Sequence, residues 1–137
     1  MFWRLTYIST IRCDDLGGEL TAILDSSRNH NAANAITGVL LVAGGSFYQT
    51  IEGDRDDVAE TFMRIRGDTR HDNIIVLQDE ATSHRAFAAW SMAHRDLPTG
   101  HKLARKLARL SAGDKPAFRT LAAARDLDIL ITSFLAA

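Results

Sequence analysis

Residues 36–52, ITGVLLVAGGSFYQTIE, decide the fold of this chain. They contain two runs rich in β-branched and apolar residues, residues 36–42 and 46–52, and such runs are typical of strands. The three residues between them, 43–45, read Ala-Gly-Gly. Glycine tolerates the positive φ that a tight turn between antiparallel strands requires. The stretch therefore predicts a β-hairpin.

A strand followed by a helix is predicted before the hairpin. Every second side chain of residues 2–9 lies on one face of the strand, and these are Trp3, Leu5, Tyr7 and Ser9. Asp14 or Asp15 can cap a helix that ends near the polar run of residues 29–34. The residues on the inward face of this helix recur at intervals of three and four positions. They are Leu16, Leu20, Ile23, Leu24 and Ser27.

A second helix and two more strands are predicted after the hairpin. The helix starts near Asp56 and ends near Gly67, which can serve as its C-cap. Residues 73–77 are rich in β-branched and apolar side chains and predict a fourth strand. Residues 90–94 predict a short fifth strand, before residues 98–100, Pro-Thr-Gly, end the pattern. The apolar face of the second helix comprises Val58, Phe62 and Ile65.

The predicted order of elements is βαββαβ with an added fifth strand, which is the ferredoxin-like class of α+β fold. We expect the first and third strands to be central, adjacent and parallel, with both helices on one face of the sheet. Residues 1–97 would form this domain. Residues 98–137 would add a C-terminal pair of helices packed on the sheet, since Leu103, Leu107 and Leu110 form an apolar stripe.

Composition and charge favour one domain with neither a nucleic-acid nor a membrane partner. The 137 residues are 46% hydrophobic and 24% charged, and the net charge of -1 leaves no basic surface for a polyphosphate backbone. No stretch reaches the roughly 18 consecutive apolar residues that a membrane span requires. The single cysteine, Cys13, excludes an internal disulfide and suits a cytoplasmic location.

The sequence predicts neither a metal site nor an enzyme. We found no nucleophile–base pair, paired carboxylates or glycine-rich phosphate loop. The histidines lack metal-ligand spacing, and we expect them to face solvent. They are His30, His71, His84, His94 and His101.

Gln49 is anomalous on the face that it shares with Phe47 and Ile51. The predicted topology makes it a neighbour of Tyr7, and its apolar companions should point toward the helices. A buried amide left without partners costs on the order of 1–3 kcal/mol. Two explanations stay open: a structural network of Gln49 with Tyr7 and Asn31, or a flat heteroaromatic ligand whose edge binds the two amides.

Five short segments form a combination more specific than any one of them. They are residues 29–32 (NHNA), 36–40 (ITGVL), 45–53 (GSFYQTIEG), 64–73 (RIRGDTRHDN) and 85–92 (RAFAAWSM). In order and spacing they closely resemble the BLUF family, the flavin-binding blue-light sensors. The resemblance extends over approximately residues 2–95.

The resemblance implies a bound FAD, or FMN or riboflavin in its place, with the isoalloxazine ring between the two helices. Ile23 and Ile65 match the positions that sandwich the ring, and Asn31 matches a ring-edge position. Arg70 and His71 match positions near the ribityl and phosphate end, where a cation complements phosphate charge. The cofactor-binding set that it implies is Ser9, Ile23, His30, Asn31, Gln49, Ile65, Arg70 and His71.

The resemblance also implies a photoreceptor in which Tyr7, Gln49, Trp90 and Met92 are photoactive. In the family mechanism, Tyr7 gives an electron and a proton, the Gln49 amide rotates or tautomerises, and the flavin ends unreduced. Trp90 and Met92 would share a face of the fifth strand, one near Gln49 and the other displaced, and the sequence leaves open which. The signal would pass through this strand and the C-terminal helices to a separate signalling protein or to a homo-oligomer.

Two other classes of protein compete with this interpretation. One is a flavin-free ferredoxin-like interaction module, in which Tyr7, Gln49 and Asn31 are structural. The other is a small hydrolase of the acylphosphatase type, for which the sequence offers no phosphate-cradling loop after the first strand.

Overall fold

The computed structural model describes residues 1–97, 104 and 105, and it contains a five-stranded sheet with two helices. The elements are β1 (Phe2–Ile11), α1 (Leu16–Ala33), β2 (Thr37–Ala43), β3 (Ser46–Gly53), α2 (Arg55–Arg66), β4 (His71–Thr82) and β5 (Ala93–Leu97). This order confirms the predicted ferredoxin-like α+β fold with a fifth strand. The helical pair predicted for residues 98–137 lies outside the described residues, except that Ala104 and Arg105 are helical. None of the described helices is long and apolar enough to cross a membrane.

The strand order is β4-β1-β3-β2-β5. β1 and β3 are central and adjacent, as predicted, but the predicted parallel orientation is wrong, because the two strands pair antiparallel. The reason is geometric. The crossover through α1 leaves β2 parallel to β1, and the tight hairpin then reverses the chain into β3. β5 joins the edge of the sheet parallel to β2.

Both helices begin and end close to the predicted residues. The Asp15 side chain accepts a hydrogen bond from the backbone N–H of Gly18, so Asp15 rather than Asp14 is the N-cap of α1. Asp54 precedes α2, and Gly67 occupies its C-cap position. Acidic residues in the first turn of α2 and arginines in its last turn complement the helix dipole.

Apolar clusters cover both faces of the sheet. The helix-side cluster joins the sheet to α1 and α2, which confirms that both helices lie on one face; its buried members include Leu5, Tyr7, Leu24, Phe47, Ile51, Val58 and Met92. The far-side cluster lies on the opposite face and comprises Ile8, Val39, Leu41, Tyr48, Phe87, Ala93, Leu97 and Ala104. The described Ala104 is therefore buried against the face of the sheet that α1 and α2 leave uncovered.

Trp90 and Met92 do not lie on a strand, which corrects the prediction. β5 begins only at Ala93, where it pairs with Val39 of β2. Trp90 and Met92 belong to the connecting segment, residues 83–92, between β4 and β5. They also do not share a face, because half-buried Trp90 packs against the far-side cluster and Met92 belongs to the helix-side cluster. The period-2 rule fails here because the backbone is not extended.

Glu52 explains why the chain does not continue as a strand after β4. Its side chain is fully buried, and its carboxylate accepts hydrogen bonds from the backbone N–H groups of Ala86, at 2.9 Å, and Phe87, at 2.6 Å. Arg4 pairs with the same carboxylate at 3.4 Å. These partners satisfy the buried charge. They also tie the start of the connecting segment to β3.

We predict that Gly38→Ala destabilises the fold. Gly38 lies in β2, and a Cβ there would collide with the backbone carbonyl oxygen of Thr50 in β3. Because relief of this clash would disturb the β2–β3 ladder, we expect the free energy of unfolding to fall by about 1–3 kcal/mol, measured by urea denaturation. Gly45→Ala is the matched control, since a Cβ at that position meets no heavy atom of the described residues within 4 Å. Equal losses in the two variants would contradict the prediction.

Candidate functional site

Two polar side chains on the central strands meet inside the helix-side cluster. The β1–β3 register places Tyr7 directly opposite Gln49. Only 2% of Tyr7 and 4% of Gln49 are exposed. The Tyr7 hydroxyl donates a hydrogen bond to Gln49 Oε1. The predicted proximity of the two residues is therefore confirmed, and the amide carbonyl has a donor.

The amide nitrogen of Gln49 points toward the connecting segment. Its Nε2 atom donates to Sδ of Met92 at 3.6 Å, and a thioether sulfur is a weak acceptor. Met92 is 2% exposed, whereas Trp90 lies on the other face of the sheet. The structure thus places Met92 beside Gln49, a choice that the sequence left open.

Asn31 is a second buried amide near the same place. It lies close to the end of α1 and is 2% exposed, and its Nδ2 donates to the backbone carbonyl of Ser91 at 2.7 Å. The Asn31 side chain thus bonds to the connecting segment. In the structural network that the sequence left open, it would bond to Tyr7 and Gln49 instead. Within the described part of the chain, Asn31 Oδ1 has no donor and the second N–H of Gln49 has no acceptor. Unpaired buried polar atoms are uncommon, and this pair is able to bind the polar edge of a ligand.

The two amides lie at a cleft between α1 and α2. The cleft has two lobes, and the second lobe reaches Tyr7 and His71. Several residues predicted to bind a cofactor line the first lobe: Ile23, His30, Asn31, Gln49, Ile65 and Arg70.

Comparison with known proteins identifies the family. Residues 2–93 match the model of the BLUF family, described as sensors of blue-light using FAD. The chain belongs to the BLUF family. The cleft, with its buried phenol and two amides, lies within the matched residues of this BLUF domain.

Individual BLUF relatives differ in how much of their length this chain covers. The photoactivated adenylate cyclase subunit beta of Euglena longa is 35% identical over 89 residues, which are 64% of this chain and 10% of that protein. The blue light- and temperature-regulated antirepressor BluF of Escherichia coli strain K12 is 31% identical over 97 residues, 71% of this chain and 24% of that protein. The chain therefore spans only a small part of both curated relatives. The dark-state structure of BlrB, a BLUF protein, matches with a TM-score of 0.82 at 33% identity, over 96% of each chain.

Two arginines in different surroundings line the BLUF cleft. Arg70 pairs with Asp68 at 2.8 Å and with Glu19 at 3.3 Å. The hydrogen bonds from Arg70 lower the pKa of Asp68, and the same contact raises the pKa of Arg70. Arg64 also lines the first lobe, and it forms no ion pair with any residue that the structure describes. Its charge is available to an anionic ligand.

His71 is buried, so the expectation that it faces solvent is wrong. The residue is 8% exposed, and both ring nitrogens are engaged: Nδ1 lies 2.7 Å from Ser9 Oγ, and Nε2 lies 2.7 Å from the carbonyl oxygen of Ile65. A carbonyl can only accept, so Nε2 carries a proton; in the neutral ring, Ser9 donates to Nδ1. Ser9 thus positions His71 from β1 and does not itself line either lobe. The other described histidines are half-buried or exposed: His30, His84 and His94.

His30 joins the two helices across the cleft. Its Nε2 atom lies 3.0 Å from Thr61 Oγ1, whose own proton is donated to the Asp57 carbonyl at 2.7 Å. The hydroxyl therefore accepts from His30. Burial, and next the charge of Arg64, lower the pKa of His30.

Sequence reasoning missed several residues of the first lobe. Ser27 lies four residues after Ile23 and four before Asn31, and Thr61 lies four residues before Ile65. This helical spacing is the signal that could have found them. Ser27 was placed on the inward face of α1 but not in the site, and the other residues that were missed are Ser26, Thr61, Arg64 and Asp68.

We predict that stability falls in alkaline solution because of Tyr7. Burial, together with the Asp68 carboxylate, raises the pKa of the Tyr7 hydroxyl. In the unfolded chain a tyrosine loses its proton near pH 10, whereas folded Tyr7 keeps it. Above that pH the unfolded state binds fewer protons, so the Tyr7 contribution to the free energy of unfolding falls by about 1.4 kcal/mol per pH unit.

Urea denaturation between about pH 9 and pH 11 measures this dependence. Tyr7→Phe removes the titrating group, and its stability should fall less steeply with pH than that of the wild type. Parallel pH dependences in the two proteins would contradict the assignment to Tyr7.

Proposed function

We propose that this chain is a blue-light photoreceptor that binds a flavin non-covalently in the cleft and responds through the Tyr7–Gln49 hydrogen bond. The observation that supports this most directly is that a buried phenol–amide pair lines the cleft: Gln49 lines both lobes, and Tyr7 lines the second. A phenol can give up a proton and an electron, and an amide can exchange donor and acceptor roles at one location. These abilities suit sensing rather than substrate turnover.

The residues of the cleft fit an isoalloxazine ring. Ile23 of α1 and Ile65 of α2 line both lobes and offer apolar contact to a flat ring between the helices. Among the described residues, Asn31 has an unused acceptor and Gln49 an unused donor, and both could bind the polar groups of a ring edge. A bound flavin supplies the absorption of blue light and the acceptor for a light-driven electron.

The switch that we propose is a rotation of the Gln49 amide. Tyr7 has one hydroxyl proton, which it donates in the hydrogen bond to Gln49 Oε1. Rotation by half a turn would direct Nε2 at the tyrosine oxygen and Oε1 at Met92 Sδ. A thioether has no proton to donate, so the Gln49–Met92 hydrogen bond would be lost. Exchange of the donor and acceptor ends of the Gln49 amide would thereby break its contact with Met92 in the connecting segment.

Met92 links this exchange to the edge of the sheet, because the next residue, Ala93, begins β5. We place the output in β5 and in residues 98–137, as a helical relay joined to a photosensory unit of residues 1–97. The relatives include a cyclase subunit and an antirepressor. We therefore propose that the signal reaches a separate signalling protein in the cytoplasm, or changes the self-association of the chain.

FAD is the flavin that we propose, because the family is described as using it. Among the cations predicted at the phosphate end, Arg70 is offset by Asp68 and Glu19, and both ring nitrogens of His71 are engaged. Arg64 is therefore the residue best placed to complement a phosphate.

The absorption spectrum before and after blue light tests the proposal. We expect a flavin spectrum with a red shift that reverses in darkness, and no shift in Gln49→Leu, because leucine cannot exchange donor and acceptor roles. Gln78→Leu is the matched control: Gln78 is also buried, at 2% exposure, but it accepts from Thr6 and does not line the cleft. A shift that persists in Gln49→Leu would refute the switch. A colourless protein that flavin cannot reconstitute would support the flavin-free interaction module instead.

We predict that Arg64→Ala weakens binding of FMN but not of riboflavin, which differ only by the phosphate. We expect a loss of roughly threefold to tenfold for FMN, as for a partly exposed charge pair. Titration calorimetry with the flavin-free protein measures both affinities. Arg66→Ala is the matched control, since the Arg66 guanidinium lies over the Phe62 ring at 5.8 Å. An equal loss for riboflavin would contradict a phosphate contact.

A further inference from the structure

Backbone carbonyl groups hold the end of the connecting segment in place. The Trp90 carbonyl accepts from the backbone N–H of Gly38 in β2 at 3.1 Å. The Ser91 carbonyl accepts from the Asn31 side chain in α1 at 2.7 Å. Both donors belong to buried residues, so water competes weakly for these two bonds.

Met92 is held at two of its atoms. Its Sδ accepts from Gln49 Nε2 at 3.6 Å, and its carbonyl oxygen accepts from Arg28 Nε at 3.1 Å. Arg28 is an exposed residue of α1, so solvent can replace its bond more readily than the bonds of the two preceding carbonyls. One residue therefore connects the amide of Gln49 to a surface arginine.

The contacts at the start of the connecting segment cannot replace the Arg28–Met92 hydrogen bond in positioning Met92. Glu52 fixes the backbone N–H groups of Ala86 and Phe87, and the Phe87 side chain is fully buried. Residues 88 and 89 are exposed and lie between these two anchored ends. The position of the Met92 sulfur therefore depends on the contacts that the last three residues make.

We infer that Arg28 is a positioning residue of the light switch: its hydrogen bond to the Met92 carbonyl holds the Met92 sulfur against Gln49. The inference rests on the proposed function. When rotation of the amide removes the Gln49–Met92 bond, the Arg28 bond remains to keep Met92 near its dark position. Without Arg28, the backbone around Met92 samples more conformations before the sulfur returns, and recovery in darkness slows.

The first test needs neither light nor flavin. In Arg28→Ala we expect the Gly38 amide proton, which the Trp90 carbonyl protects, to exchange roughly threefold to tenfold faster with solvent, measured by NMR on the full chain in darkness. Arg95→Ala is the matched control, because exposed Arg95 donates to the carbonyl of its own neighbour, His94, at 2.8 Å. Unchanged exchange in Arg28→Ala, or equal acceleration in Arg95→Ala, overturns the inference.

The second test follows the flavin absorption after illumination. We expect Arg28→Ala to slow dark recovery roughly threefold to tenfold, and Arg28→Lys to restore most of the rate, because an ammonium group also donates to a carbonyl. Arg95→Ala should recover like the wild type. Recovery in Arg28→Ala at or above the wild-type rate overturns the inference. Absence of a light-induced shift in the wild type would instead refute the proposed function, and Gly38 exchange would still decide whether Arg28 positions the segment.

Discussion

The hydrogen bond from Tyr7 to Gln49 is the interaction on which the arrangement of the site depends. It gives a donor to an amide carbonyl that lies inside an apolar cluster, where an unpaired carbonyl would be costly. The antiparallel register of β1 and β3 puts the two residues opposite each other and directs the amide nitrogen toward Met92. The helices that cover this face leave a cleft beside the polar pair, and Gln49 lines both of its lobes.

The cleft combines buried polar groups with charged ones. Burial raises the pKa of the Tyr7 phenol. Asp68 and Arg70, paired with each other, line both lobes, and Arg64, which forms no ion pair with any described residue, lines the first. Buried amides close to an available positive charge suit a ligand that has an aromatic head and an anionic tail. This combination and the BLUF membership of the chain both point to a flavin.

β3 connects the two faces of the sheet. Successive side chains of a strand alternate between faces, so Gln49 points into the helix-side cluster, and Glu52, three residues later, points to the other side. Glu52 binds the start of the connecting segment, and Gln49 contacts its end at Met92. A single strand thus holds both ends of the segment that leads into β5. In the switch that we propose, rotation of the Gln49 amide would act on the end of the segment at Met92, whereas the contacts of Glu52 with its start would remain.

The sequence by itself determined the elements of this fold, because periodicity, caps and turn residues act over a few neighbouring positions. Topology rules then made the first and third strands neighbours and so predicted that Tyr7 meets Gln49. Ile23, Asn31 and Ile65, which the family resemblance predicted as cofactor-binding residues, line the cleft. Strand direction, the late start of β5, the position of Met92 rather than Trp90 beside Gln49, and the burial of His71 were decided only by the tertiary structure. Each of these depends on partners far apart in the chain: a hairpin that reverses a crossover, a carboxylate on β3 that binds a distant loop, and a hydroxyl on β1 that binds a ring on β4. Local sequence patterns contain no information about such pairings, because the paired residues come together only in the folded chain.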